Sequence, residues 1–234
     1  MLTQRLARPL AIGAVVVVMG GGAYGIANAT SSNGAAGAST AQTATATPPA
    51  KSGSNARSGP AAGGVVGTVS SVSTSSFTVS TSGGQKLTVK KASSTTYKKG
   101  TSSATASAIA KGEPVLVLGT VNGSTIAASQ VVVQPPSVGP TTFTPSKVVP
   151  FKRGAPSAAK QDGQIPANYT EGSGKIVSGT AANKATQAAL AAYPGGVVDR
   201  VVKLSNGEYE VHNIGVNWPH HIFVSTSFKV VGAN

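Results

Sequence analysis

The stretch TAANKATQAALAAY (residues 180–193), followed by PGG (194–196), VVDRVVKL (197–204), SNG (205–207) and EYEVHNI (208–214), decides the fold of the C-terminal part. Ala182, Ala185, Ala189 and Ala192 or Tyr193 recur at three- and four-residue steps, the apolar stripe of a helix over 180–193. Lys184 and Gln187 fall off that stripe. Thr180 suits the N-cap, and Gly195 or Gly196 the C-terminal stop. An alanine stripe approaches a sheet closely but buries little area, so Leu190 and Tyr193 must supply much of the packing. Residues 197–204 and 208–214 read as strands, with Asn206-Gly207 as a two-residue turn. In the second of them Tyr209 and Val211 point to one face, and Glu208, Glu210 and His212 to the other. In one last strand Ile222, Val224, Phe228 and Val230 share a parity, opposite to His221, Phe223 and Ser225. The prediction is a helix across three antiparallel strands, burying Tyr209, Val211, Ile222, Val224 and Phe228.

This C-terminal segment also carries the single Trp and all three His of the chain. Its YPGGVVDRVVKL, NGEYEVH and closing FKVVG together resemble the PepSY domain, in the form found in exported proteins of Gram-positive bacteria, over about 175–232. One departure is IGVNWPH (214–220), where many relatives have a short Asp-Gly turn before the last strand. The resemblance implies an extracytoplasmic, non-enzymatic module that restrains a peptidase or mediates contacts at the cell surface. It supplies no catalytic residue.

Upstream, residues 64–134 read as a small β-domain. VVGTVSSV (65–72), FTV (77–79), KLTV (86–89), PVLVLGTV (114–121) and VVV (131–133) are β-rich, and Asn122-Gly123 marks a hairpin. About five short strands at this spacing suggest a small barrel or sandwich. GTVSSV, FTV, TTYKKG (95–100) and KGEPVLVLGTVNG (111–123) resemble a family of small exported bacterial domains with an OB-like barrel, of unknown function. The expected fold class is therefore all-β plus α+β: an OB-like β-barrel, then a PepSY-like helix packed on an antiparallel sheet, with disordered linkers.

The remaining stretches read as export and spacing. Residues 1–29 have Arg5 and Arg8, an apolar middle and Ala27-Asn-Ala29, the pattern of a signal peptide or N-terminal membrane anchor. Either one places the rest of the chain outside the cytoplasm. Residues 30–63 form a disordered Ala/Thr/Ser/Gly linker, and 135–174 a Pro-rich basic linker whose VVPF (148–151) is apolar enough to dock on a neighbouring domain. The segment from 175 to 234 is the PepSY-like domain. The formal net charge is +13, and the absence of Cys excludes disulfides and thiolate metal sites.

Three sets of residues are candidates for function. Lys90, Lys91, Lys98 and Lys99 belong to a barrel segment with six lysines and one acid, Glu113, and suit an anionic cell-wall polymer. Nucleic acid is not expected, because stacking platforms are lacking: Phe77 reads as core and Tyr97 stands alone. Trp218, His220 and Phe223 are candidates for contact with an extracytoplasmic protein or peptidase, with Trp218 as a cover for the core the alternative. Glu210, His212 and His221 are candidate metal ligands converging from two strands. The alternative is that Glu208 and Glu210 face water and pair with Lys203. A Ser–His212–Asp199 triad can be assembled on paper, but no Gly-x-Ser-x-Gly elbow places a nucleophile, so no enzyme and no cofactor is expected. Membrane contact is expected only through the N-terminal segment.

Overall fold

The structure is a computed structural model and describes residues 59–135, 148–150 and 160–234. The expected export segment and most of the first linker lie outside these residues. In chain order the strands are β1 (Ala61–Val72), β2 (Ser76–Ser80), β3 (Lys86–Lys90), β4 (Thr96–Lys99), β5 (Ser102–Ala104), β6 (Pro114–Asn122), β7 (Thr125–Val133), β8 (Val149–Pro150), β9 (Asp162–Gly163) and β10 (Lys175–Ile176). The helix α1 (Gly179–Ala192) comes next, then β11 (Val197–Lys203), β12 (Tyr209–Ile214), β13 (Val216–Trp218), β14 (His221–Val224) and β15 (Val230–Ala233). β1 begins three residues before the barrel was expected to start.

A closed five-stranded barrel forms from β1, β2, β3, β7 and β6 in that order, with β6 returning to β1. Only the β3–β7 contact within it is parallel, and this order with one parallel pair is OB-like. Alternation produces the inside: Val65, Val69, Phe77, Val79, Leu87, Val89, Val117, Ile126 and Val131 fill it with almost no exposure. Phe77 is core, as expected, and Tyr97 packs partly buried at its margin.

The C-terminal half is not a separate body. β1 also pairs with β11, through Gly64↔Val198 and Val65↔Val197, so one sheet of 13 strands runs from the barrel through β11, β12, β14 and β15 to β9. A Cβ on Gly63 would lie 2.0 Å from the Val198 carbonyl oxygen, so only glycine permits this approach. α1 lies between the two parts. Its Ala182, Ala185, Ala189, Leu190 and Ala192 pack with Val201, Val211, Ile222 and Val224 of the sheet and with Leu116, Leu118 and Val132 from the barrel's outer face. The thin alanine stripe thus serves two surfaces. Tyr193 meets Trp218 edge to face at 5.4 Å, and its hydroxyl donates to Asp162.

Four expectations are corrected. Thr180 is not the N-cap; Ser178 is, with extended backbone, and Thr180 lies in the first turn. The Asn206-Gly207 hairpin has a three-residue loop, since Leu204 N–H donates to the Glu208 carbonyl. The last strand is two strands: Ser225 to Phe228 turn back, with Phe228 N–H donating to the Ser225 carbonyl and Lys229 N–H reaching the Ser225 hydroxyl. Phe228 still reaches the core margin, stacked on Tyr209 at 5.5 Å. Finally, residues 160–174 are not a free linker. They cross the second face of the sheet, with β9 pairing β15 and Ile165 and Tyr169 packing on Val202, Leu204 and Phe223. The apolar Val148-Val149 does dock, as expected: β8 pairs β13.

Candidate functional site

Two places gather chemistry. The first is the sheet face opposite α1. Register sets Arg200 beside His212 and His212 beside His221, while Glu210 stands beside Phe223. Because period-two alternation sends Tyr209 and Val211 to the helix, Glu210 and His212 must share the other face. That face is covered by 160–174, so Glu210 is buried at 1% exposure rather than facing water with Lys203.

Burial forces these groups to find partners. His221 Nδ1 lies 2.6 Å from Glu210 Oε1, and the Tyr169 hydroxyl lies 3.1 Å from the same nitrogen and donates to the carboxylate at 3.3 Å. His212 Nδ1 lies 2.6 Å from Asp199 Oδ1, and its Nε2 lies 2.9 Å from Nε2 of His220. Arg200 is buried, with Nη1 3.0 Å from His212 Nδ1 and 3.6 Å from Asp199 Oδ2; its Nε has no partner. The three imidazole centroids stand 4.3 to 5.4 Å apart. Burial pushes the Tyr169 hydroxyl well above its usual range, and the charge of Glu210 adds to this. His220 is held down to about 4, first by desolvation of a ring turned into the cluster, then by His212 and His221. That residue is otherwise exposed.

The expected metal candidates Glu210, His212 and His221 do come together on two strands. Among the described residues, however, no group of three or more His, Cys, Asp or Glu is gathered in a form that could hold a metal ion. Asp199 and His212 of the paper triad meet, but the far nitrogen of His212 faces His220 and not a serine. Of the partner-contact candidates, Trp218 takes the alternative role of covering the core, and Phe223 is corrected. Trp218 is buried in the helix-side core and its indole N–H donates to the Lys160 carbonyl at 2.8 Å. Phe223 is wholly buried under Tyr169, whose ring meets it edge-on at 4.7 Å. Only His220 of that set is exposed.

Arg200 and Tyr169 were missed from the sequence. Arg200 had a signal, a charged pair Asp199-Arg200 inside the valine run VVDRVV. Tyr169 had none, since it comes after a proline-rich stretch without periodicity.

The second place is the barrel surface. β3 and β4 both run parallel to β7 on the same edge, with Thr88↔Thr125 and Lys90↔Ala127, then Thr96↔Gln130 and Lys99↔Val133. They are one strand interrupted at 91–95. Thr95 pins the break: its buried hydroxyl donates to the Ala128 carbonyl at 2.8 Å and accepts from Ala92 N–H. Lys86, Lys90, Lys98 and Lys99 are exposed along this line. Lys91 is half-buried and donates to the Ser73 carbonyl at 2.8 Å. Lys98 stands beside Val132 of the barrel's outer face, so from Lys90, beside Ala127, to Lys98 the stripe covers five residue steps of β7, about 17 Å at roughly 3.3 Å each, while Lys99, beside Val133, has the opposite parity. Glu113, the one acid of the segment, accepts from Gln134 Nε2.

No protein-family model, curated protein or solved structure matches this chain. No described helix is long and apolar enough to cross a membrane.

Proposed function

We propose that this is an exported, envelope-associated, non-enzymatic binding protein whose barrel attaches to an anionic cell-wall polymer. The observation that carries the reading is the lysine stripe along β3 and β4, which runs in one direction beside β7 with no acid in either strand. A linear array of ammonium groups complements a linear polyanion, and an exposed array acts over a Debye length of about 10 Å. Within β3 and β4 the exposed positions other than the lysines are Thr88 and Thr96, which offer hydroxyls and no stacking surface. That favours a phosphate- or carboxylate-bearing polymer over a nucleic acid. The single helix over an antiparallel sheet supports the PepSY resemblance, and restraint of a peptidase is the second reading. It loses Trp218 and Phe223 as contacts and keeps His220.

The test is binding of the full chain to a soluble phosphodiester polymer of the polyglycerol phosphate type across a salt series. Affinity should fall steeply with salt, and the double variant Lys90→Glu, Lys98→Glu should weaken it by about tenfold or more at low salt. Binding that ignores both salt and the double variant sinks the proposal.

A further inference from the structure

The histidine cluster carries an inference independent of the barrel. Two of its imidazoles have Nδ1 held by a carboxylate at 2.6 Å, His212 by Asp199 and His221 by Glu210. In metal sites a ligating histidine usually donates its other N–H to such a carboxylate, which fixes the tautomer and raises the basicity of the outward nitrogen. With Nδ1–H given to Asp199, neutral His212 has its lone pair on Nε2, and that atom faces His220 Nε2 at 2.9 Å. The Arg200 guanidinium, 3.0 Å from the same Nδ1, can only donate and so would put the ring proton on Nε2; the shorter contact to Asp199, 2.6 Å, favours Nδ1–H and a free Nε2.

We propose that His212 and His220 anchor a divalent transition-metal ion of the Cu(II) type through their Nε2 atoms, with His221 as the third ligand. An ion about 2.0–2.1 Å from each nitrogen would see two atoms 2.9 Å apart at about 90°. That is the cis angle of a tetragonal centre and narrower than a tetrahedral zinc site needs. The His221 ring stands 4.9 and 5.4 Å from the other two centroids. Three donors are not yet gathered, so loading requires His221 to turn its Nε2 toward the pair. An ion can reach the pair from solvent through His220, which is exposed.

The experiment is Cu(II) binding to the full chain, measured by competition with a chelator of known affinity and by electron paramagnetic resonance. Wild type should take one ion more tightly than His220→Ala by at least about tenfold, with a spectrum showing two or three coupled nitrogens. Asp199→Asn keeps every ligand but removes the supporting carboxylate, and should lower affinity by roughly 10–100-fold. The thermal midpoint in excess chelator checks that each variant is folded. Equal Cu(II) affinity in wild type and in folded His220→Ala overturns the site, as does a loaded spectrum without nitrogen coupling.

Discussion

Replacing Gly63 with valine tests whether the barrel and the helix–sheet half stabilise one another. The new Cβ would meet the Val198 carbonyl oxygen at 2.0 Å and its carbon at 2.8 Å. Both are backbone atoms, so relief requires β11 to move away from β1. Val198 belongs to the helix-side core and its neighbour Val197 to the barrel core, so that movement disturbs both. Overpacking of this kind costs roughly 1–3 kcal/mol, and each ladder hydrogen bond lost adds about 1 kcal/mol. A total of roughly 2–4 kcal/mol, divided by a urea slope of about 2 kcal/mol per molar, lowers the midpoint by about 1–2 M. Trp218, the single tryptophan, sits in the helix-side core and reports that half by fluorescence. Amide exchange in β2 and β3 reports the barrel, and should rise less, because the ring of five strands closes without β11. An unchanged Trp218 midpoint in Gly63→Val would show that the junction contributes nothing and would refute the reasoning.

The packing sets further outcomes. Gly232→Ala places a Cβ 2.0 Å from the Gln164 carbonyl oxygen, so it should lift β9 from β15 at a cost of roughly 1–3 kcal/mol, seen as faster amide exchange at Gln164. Tyr169→Phe keeps the ring on Phe223 but leaves buried Glu210 without the hydroxyl, and should cost about 1–3 kcal/mol in urea unfolding. Ile222→Ala, in the fully buried row under α1, should cost roughly 2–5 kcal/mol by the same assay. The pH dependence has a defined sign. With its folded value depressed to about 4 from 6.5, His220 binds fewer protons folded than unfolded between these limits. Its stabilising contribution is therefore complete above about pH 6.5 and is lost as pH falls toward 4. Urea unfolding in chelator should show a shallower acid decline for His220→Gln than for wild type, and parallel curves would contradict it.

What was legible in the sequence was whatever a local period could encode. The alanine stripe of 182, 185, 189 and 192 marked α1 to within a residue at each end, and Tyr209 and Val211 marked the face that meets it. Valine alternation marked the barrel strands. What escaped was long-range. Nothing near Gly63 announces β11, because the mark of that contact is the absence of a side chain, which a linker full of glycines also shows. The turn at Ser225–Phe228 was hidden for a related reason: Phe228 and Val230 keep the parity of Ile222 and Val224, so a hairpin and a continuous strand share one pattern.

The site was half legible, and the reason lies in what covers it. A strand with one face in water shows polar residues of every kind on that face, so Glu208, Glu210 and His212 looked like a solvated edge. The structure separates them. Glu208, near the loop, stays partly exposed, whereas Glu210 and His212 are sealed by Tyr169 and by the neighbouring strands. The cover comes from a proline-rich stretch whose backbone keeps no period, so it could not be matched to the face it covers. The residues on that face nonetheless differ from an ordinary solvated set. Arg200, Glu210, His212 and His221 are short of lysine and threonine and rich in groups that bond one another in pairs. A sheet face whose polar members are mutually complementary, carboxylate beside imidazole on adjacent strands, has the composition of a buried network. Its partners are chosen by the cost of leaving any one of them alone. On that argument the pairing pattern itself, rather than hydropathy, is the signal that this face is a site.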